Sequence, residues 1–349
     1  MATIKEVAKA CNVSIATVSN IINGKGRVSE ETKKRIMETA KEMGYVPNMM
    51  AKSLKQGSSK AIGIITEDLT VFNCAEIVDG IHEYLEEQGY TSLLGNLRLY
   101  KKYENGFYHH EDYKKQVEEE FLIMQSKQVE GIIYIGAHCR EIKSIPEKLG
   151  IPLVVAYGFA SDRQIPSVIF DDEQAAYEAA CELIRSGHTR LGIISGELES
   201  LHTAGRLIGY QRALYENHIL YNPKLNVVAN WSRTQGYQAC EKLMKEKVTA
   251  IFAMSDVMAA GVYDYAGEND IEIGKDIALI GFDNRQISTA FKPSLTTMAL
   301  PLHQIGKSSA ALIVDMVEGN AQKSEKNTYK INCTLEKRGS TGETIYHSR

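Results

Sequence analysis

His109-His110-Glu111-Asp112 is a run whose residue types come close to metal chemistry. Adjacent side chains seldom converge on one ion, and no H-E-x-x-H spacing is present, so no metal site is expected. Nucleophilic and phosphate chemistry lack their spacings as well. The chain has no G-x-S-x-G elbow, no G-x-x-x-x-G-K-[ST] loop and no G-x-G-x-x-G fingerprint. Carboxylates are plentiful, but no pair is marked out for acid–base work. No catalytic residue, no cofactor and no enzyme is therefore expected. The six cysteines, at 11, 74, 139, 181, 240 and 333, lie far apart with no C-x-x-C. That spacing fits buried thiols in a reducing cytoplasm.

The charge that remains is unevenly placed. Residues 1–60 hold eleven Lys/Arg and five Asp/Glu, a net of +6. The other 289 residues carry 29 and 39, a net of −10, which restores the total of −4. A basic head on an acidic body suggests a head that meets a polyanion, although a solvated lysine-rich helix would look the same on charge alone. At 349 residues the chain has room for two or three domains. Its apolar runs fall short of the roughly 18 residues of a membrane span. The segment Met1 to Ala10 carries three charges and leads into no apolar core, so no export signal is read and a cytoplasmic location is expected.

Local signals say what the head is. Thr3-Ile4-Lys5-Glu6 is a capping box, and Ile4, Val7, Ala8 and Cys11 follow at the helical period. Asn12-Val13 reads as a tight turn. Ser14 can cap a second helix reaching about Asn23, with Val18, Ile21 and Ile22 to one side and Ile15, Ala16, Thr17 and Asn20 near its exposed start. A loop at 24–27 precedes a third helix from the Ser29 cap to the stop at Gly44. Three short capped helices of this kind make a helix-turn-helix unit.

From Ala61 the period changes. AIGIITED, TSLLGN, GIIYIG, IPLVVAY, LGIISG, AIFAMSD and IALIGFD are short runs rich in β-branched residues, separated by helical stretches such as QAAYEAACELIRSG. That alternation predicts parallel sheets covered on both faces. There are too many strands for one comfortable sheet, so two α/β lobes with a cleft beyond the carboxyl ends of their strands are expected.

The stretch TIKEVAKACNVSIATVSNIINGKGRVSEETKKRIMETAKEMGYVPN resembles the DNA-binding head of the lactose/galactose repressor family of bacterial transcription regulators. V-S-x-A-T-V-S, N-G and V-S-x-x-T all occur in register, and the likeness continues to Leu335-Glu336-Lys337-Arg338. The resemblance implies an all-α helix-turn-helix head (1–46), a hinge helix (47–58), and a two-lobed α/β body of the periplasmic-binding-protein type with parallel sheets (59–340). A tail (341–349) would follow. The expected N-lobe covers about 59–160 and 301–328 and the C-lobe about 161–300 and 329–340, with three chain crossings.

A recognition helix in the major groove would present Ile15, Ala16 and Asn20 to base edges. Thr3, Thr17, Asn23 and Arg27 would bond phosphates of a double-stranded DNA operator. The hinge helix is too short to be stable alone. Paired on DNA, it would drive Leu54 into the minor groove as a wedge, with Lys55 beside it.

In the body the resemblance implies a small-molecule effector, a carbohydrate by preference, held by Arg206, Asp283 and the platform of Trp231, the only tryptophan. Ser255 and Tyr157 depart from the family's sugar-binding pattern, and Phe72 is expected at the cleft mouth. Two alternatives stay open: an internal Arg206–Asp283 ion pair, and a core role for Trp231. Asp256 is expected to cap a helix. Between Asn96 and Phe121 the chain runs about ten residues longer than its relatives. The stretch is crowded with Tyr100, Tyr103, Phe107, Tyr108, His109, His110 and Tyr113. It could rim the cleft or bind a partner, and the preferred reading is a solvated insertion.

A homodimer is expected to use lobe surfaces that include the helix around Ala75–Leu85, where Ile77, Ile81 and Leu85 recur. No membrane partner is expected. Three other readings are kept: the same regulator under a protein corepressor, as in the family's carbon-catabolite regulators, the same regulator under a purine- or nucleoside-type ligand, and a cytoplasmic sugar-binding protein without a DNA role.

Overall fold

The computed structural model describes residues 2–22, 24–25, 28–46, 58–103, 106–109, 112–146, 148–160, 164–320 and 327–342. Residues 1–60 and 61–349 form two separate compact units.

In the first unit, α1 (Ile4–Ala10), α2 (Ile15–Ile22) and α3 (Glu30–Glu42) fall where the caps placed them. Both halves of the Thr3/Glu6 capping box form, and Ser29 caps α3. Val7, Ala8, Cys11, Val18, Ile21, Ile36 and Ala40 make a core of their own.

The second unit holds two six-stranded sheets. The N-lobe sheet has the order β13-β7-β5-β3-β1-β2, all parallel. Its strands are β1 (Ala61–Thr66), β2 (Thr91–Asn96), β3 (Gly131–Ile135), β5 (Leu153–Ala156), β7 (Ser167–Phe170) and β13 (Thr328–Ile331). A small pair, β4 (Glu141–Ile142) and β6 (Phe159–Ala160), sits beside it. The C-lobe sheet has the order β14-β12-β11-β10-β8-β9. It comprises β8 (Leu191–Ser195), β9 (Asn226–Val228), β10 (Ala250–Ala253), β11 (Ala278–Asp283), β12 (Thr296–Ala299) and β14 (Thr334–Glu336). Only β14 runs antiparallel, against β12.

Helices cover both sheets, which is why the central strands are apolar on both faces. In the N-lobe these are α4 (Cys74–Glu87), α5 (Leu99–Tyr103), α6 (Asp112–Ser126) and, late in the chain, α12 (Leu302–Val317). The C-lobe has α7 (Asp172–Arg185), α8 (Leu201–Glu216), α9 (Arg233–Lys245), α10 (Asp256–Glu268) and the short α11 (Ile287–Ala290).

Three expectations need correction here. The chain first crosses between lobes at Asp171, not near residue 160, because β7 pairs with both β5 and β13 in the N-lobe sheet. For the same reason 328–331 belongs to the N-lobe, and the last crossing lies at 331–334.

The aromatic insertion is not a solvated excursion. Phe107 and Tyr113 are fully buried with Leu99, Val117 and Phe121 in a cluster on one face of the N-lobe sheet. Burying two large rings is worth several kcal/mol, far more than lysines nearby could offset.

Finally, Ile77, Ile81 and Leu85 of α4 face inward and are buried, so they offer nothing to a second copy. Their helix lies against α12 with backbones nearly touching. A Cβ on Gly80 would stand 2.1 Å from the His303 carbonyl oxygen, and one on Gly306 would stand 2.1 Å from that of Ile77. The apolar period of α4 marks its core face. The exposed apolar residues of this lobe include Leu93 and Leu94 on the edge strand β2 and Leu122 and Ile123 on α6, besides Leu69, Phe72 and Tyr108 in its loops.

Candidate functional site: a nucleic-acid face and an interlobe cleft

On the head, α2 turns Ile15, Ala16 and Asn20 to solvent while Val18 and Ile21 enter the core. The Ser14 hydroxyl accepts from the Thr17 N–H at 3.0 Å and sits 2.8 Å from the Thr17 hydroxyl, fixing the first turn. Thr3 is exposed, with its hydroxyl in the capping box. Asn23, Arg27, Leu54 and Lys55 lie outside the described residues, as do His110 and Glu111. Among the described residues no group of three or more His, Cys, Asp or Glu could hold a metal, and no helix is long and apolar enough to cross a membrane.

In the body, the carboxyl ends of the strands of both sheets meet across a cleft. Its deep half is filled by aromatic rings from the two lobes. Phe170 at the end of β7 lies 6.3 Å from Phe282 of β11 and stacks on His202 of α8 at 5.3 Å and 10°. Tyr157, just after β5, sits 5.9 Å from the same imidazole.

Arg206 is threaded through this floor and is only 2% exposed. Its guanidinium lies 3.6 Å from the Phe282 ring centre and 5.8 Å from that of Trp231. Nε donates to Asp172 Oδ1 at 2.7 Å, and Nη1 donates to the Met254 carbonyl. The other Asp172 oxygen meets His202 Nδ1 at 2.7 Å. The internal partner of Arg206 is therefore Asp172, not Asp283. Burial opposes ionisation of that carboxyl, but His202 and Arg206 together hold it below the ordinary range. Burial likewise opposes the charge on Arg206, and Asp172 and Asp283 more than offset it.

Among the described residues Asp283 has no such hydrogen-bonded or ion-pair partner. Burial pushes its carboxyl up to about 8; Arg206 pulls it down and Asp256 pushes it up. It ends β11 at a φ of 107°, a region in which side chains are strained, and Asn284 follows at 54°. The turn is held by Asp256, whose Oδ2 accepts from the Arg285 N–H at 2.7 Å and whose Oδ1 accepts from the Thr297 hydroxyl at 2.6 Å. Asp256 thus does not cap α10. Ser255 does, accepting from the Met258 N–H at 3.1 Å, so the Ser255 hydroxyl is occupied and buried.

A cavity of about 290 Å³ opens beside Asp283, lined among others by Phe72, Glu76, Asn284, Arg285 and Leu300. Phe72 is exposed, and Arg285 reaches across from the other lobe to lie 4.7 Å from its ring centre. Trp231 seats against the end of β8 with a φ of 65°, over Gly196. A Cβ on Gly196 would stand 1.9 Å from the indole, so Gly196→Ala should eject the ring. We expect a red shift of the emission of this single tryptophan and a cost of roughly 1–3 kcal/mol. An unchanged spectrum would show that the indole is not seated there.

Structure also reveals residues that spacing did not single out. Glu67, fully buried, accepts from the Tyr134 hydroxyl at 3.0 Å, the Ala137 N–H at 2.7 Å and Arg140 at 2.5 Å. Arg140 in turn lies over Phe107 and Tyr108 of the insertion. The Tyr100 hydroxyl meets His138 Nε2 at 2.8 Å; burial, with His202 and Arg140 nearby, lowers that histidine to about 4, so it is neutral. The insertion thus braces the loop after β3, one wall of the cleft. Asp172 and His202 had a faint signal: acids directly after a β-branched run, and a histidine one turn before Arg206.

Comparison with known proteins agrees with this geometry. Residues 3–48 match the model of bacterial regulatory proteins, lacI family, and residues 180–341 match a periplasmic binding protein-like domain. Catabolite control protein A of Priestia megaterium is 35% identical over 320 residues, covering 89% of this chain and 91% of that protein. Two solved structures share the fold. The lac repressor dimer bound to operator and the anti-inducer ONPF has a TM-score of 0.78 at 23% identity, covering 98% of this chain and 99% of that one. A transcriptional regulator CelR–cellobiose complex has a TM-score of 0.65 at 24% identity, covering 97% and 100%. With a matching head and a relative this similar along nearly its whole length, the chain belongs to the lacI family of bacterial regulatory proteins.

Proposed function

We propose that the chain is a ligand-responsive repressor of carbohydrate-utilisation genes. In this reading it binds a pseudo-palindromic operator as a homodimer, acts in the cytoplasm and has no catalytic step of its own. The observation that carries this is the outer face of α2, where Ile15, Ala16 and Asn20 stand free while the opposite face holds the head together. Methyl groups at 15 and 16 suit thymine, and the Asn20 amide suits the paired donor and acceptor of an adenine edge. Thr3 and Thr17 would take phosphates, with Asn23 and Arg27, while Leu54 and Lys55 would engage the minor groove. The second copy would cover Leu93, Leu94, Leu122 and Ile123 of the N-lobe.

Selection from random duplexes tests the reading. It should return two related half-sites, and affinity should fall about 10³–10⁵-fold between 50 and 200 mM salt if 6–10 phosphates are contacted. Asn20→Ala should relax one base position per half-site, at about 1–3 kcal/mol. A pool with no enriched sequence, or a single half-site bound fully, would reject it.

The effector would occupy the cavity beside Asp283, with Phe72 in its lining as an apolar platform for a sugar face; Trp231 does not line that cavity and would meet only a ligand that extends toward Gly196. At about 290 Å³ the space suits a ligand at the small end of the usual range. Arg206, Tyr157 and Ser255 then shape the site from beneath, since Arg206 and Ser255 already bond within the chain and Tyr157 lies in the aromatic floor. That closed floor also favours a second reading, control by a protein corepressor. A thermal-shift panel of sugars, sugar phosphates and nucleosides separates the two. A ligand at 100 times its Kd should add about 2.7 kcal/mol, and a silent panel would favour the corepressor.

A further inference from the structure

The C-lobe carries an apolar face that neither the cleft nor the head uses. On α8, Leu201, Ile208 and Tyr215 recur every seventh residue, opposite the core-facing Thr203, Arg206, Tyr210 and Ala213. They are 49%, 52% and 82% exposed, and Leu198 and Leu220 at either end of the helix are 70% and 93% exposed. This is a patch and not scattered exposure, because three of the five lie in one line along a helix of sixteen residues. The five side chains offer on the order of 600 Å² per copy, so a pair of such faces would remove about 1,200 Å² from water, the lower edge of stable, specific interfaces.

The spacing also says what fits it. Leu201 and Tyr215 stand seven residues to either side of Ile208, so the stripe is symmetric about its centre. Laid antiparallel on a second copy, Ile208 meets Ile208 of the partner subunit, and Leu201 meets Tyr215 of the partner subunit. That is the self-complementary arrangement a two-fold contact requires. Antiparallel alignment also sets the helix dipoles head to tail. The flanks offer no obstacle, since Arg212 is already paired with Glu173 and Glu216. We propose that α8 is a self-association surface through which two copies of this chain pair about a two-fold axis at Ile208. It is separate from the N-lobe patch of Leu93, Leu94, Leu122 and Ile123 and needs no other contact to form.

Sedimentation of the full chain with and without Ile208→Glu tests this. Ile208 is half exposed, so the variant keeps its fold, which its melting temperature checks, and Tyr215→Lys serves as a second disruption. We expect each to halve the mass at micromolar concentration, from tetramer to dimer where the N-lobe patch also pairs copies and from dimer to monomer where it does not; a monomeric wild type would overturn the proposal. Mild oxidation tests the register. Ile208→Cys should cross-link between chains, Leu201→Cys and Tyr215→Cys should not when alone, and the double variant should. Unchanged mass in both charge variants would overturn the interface. Cross-linking of Leu201→Cys alone would overturn the antiparallel pairing.

Discussion

Arg206→Met lowers the stability of the body by about 3–5 kcal/mol, as expected when one partner of a buried ion pair is removed and the other is left behind. Asp172 then keeps only His202, and the Met254 carbonyl loses its donor. The methionine stem fills much of the volume, so the loss reports charge and hydrogen bonds more than a cavity. Urea denaturation of the wild type, Arg206→Met, Asp172→Asn and the double variant measures it. A double-variant cost well below the sum of the singles identifies the pair as coupled. A loss under 1 kcal/mol in Arg206→Met would return the guanidinium to the role the family resemblance gave it, that of gripping an effector.

The second large effect is a pH dependence at Asp283. Its carboxyl is held up to about 8 in the folded protein, mainly by burial, against an ordinary value of 3.8. Below pH 4 both folded and unfolded chains keep the proton, and the group contributes nothing. Between about 4 and 8 the unfolded chain releases the proton and the folded chain does not, so stability falls as pH rises; above 8 the loss is complete. Asp283→Asn carries no proton to lose. Relative to wild type it should be near neutral at pH 4.5 and more stable by about 2–4 kcal/mol at pH 8.5, after discounting for the water that still reaches the carboxyl. Thermal melts at the two pH values read the difference directly, and an equal offset at both would remove Asp283 as the titrating group. If an effector binds here, the same proton decides whether Asp283 donates or only accepts.

What the sequence alone reveals follows the range of the interactions. The three head helices were legible because caps and apolar periods act within four residues. The strands β1, β2, β3, β5, β8, β10 and β11 were legible as β-branched runs. Strands β7, β9, β12, β13 and β14 were not, because runs such as TYKI and TLE are short and half polar, and their pairing is decided by distant neighbours. That is how the lobe boundary slipped from 171 to 160. The period of Ile77, Ile81 and Leu85 could not distinguish a core face from a dimer face, and the structure places it in the core, not in the dimer surface expected of it. Asp172 and Arg206 are 34 residues apart, and no local pattern links them. The Tyr100–Tyr113 stretch misled because its polar residues suggested solvent while its rings carried the energy.

The close contact of α4 and α12 at Gly80 and Gly306 has a mechanical consequence. Two helices whose backbones meet this tightly cannot slide past one another without a gross clash, so they turn as one stiff beam. One end of the beam begins beside Phe72 at the cleft, and α12 begins where the chain returns from the C-lobe at 299–302. A rotation of one lobe against the other must therefore be taken up at the three crossings, near 171, 300 and 332, and not within the N-lobe. A few degrees of turn at the cleft would reach the far end of the beam as a displacement in proportion to its length of about 20 Å.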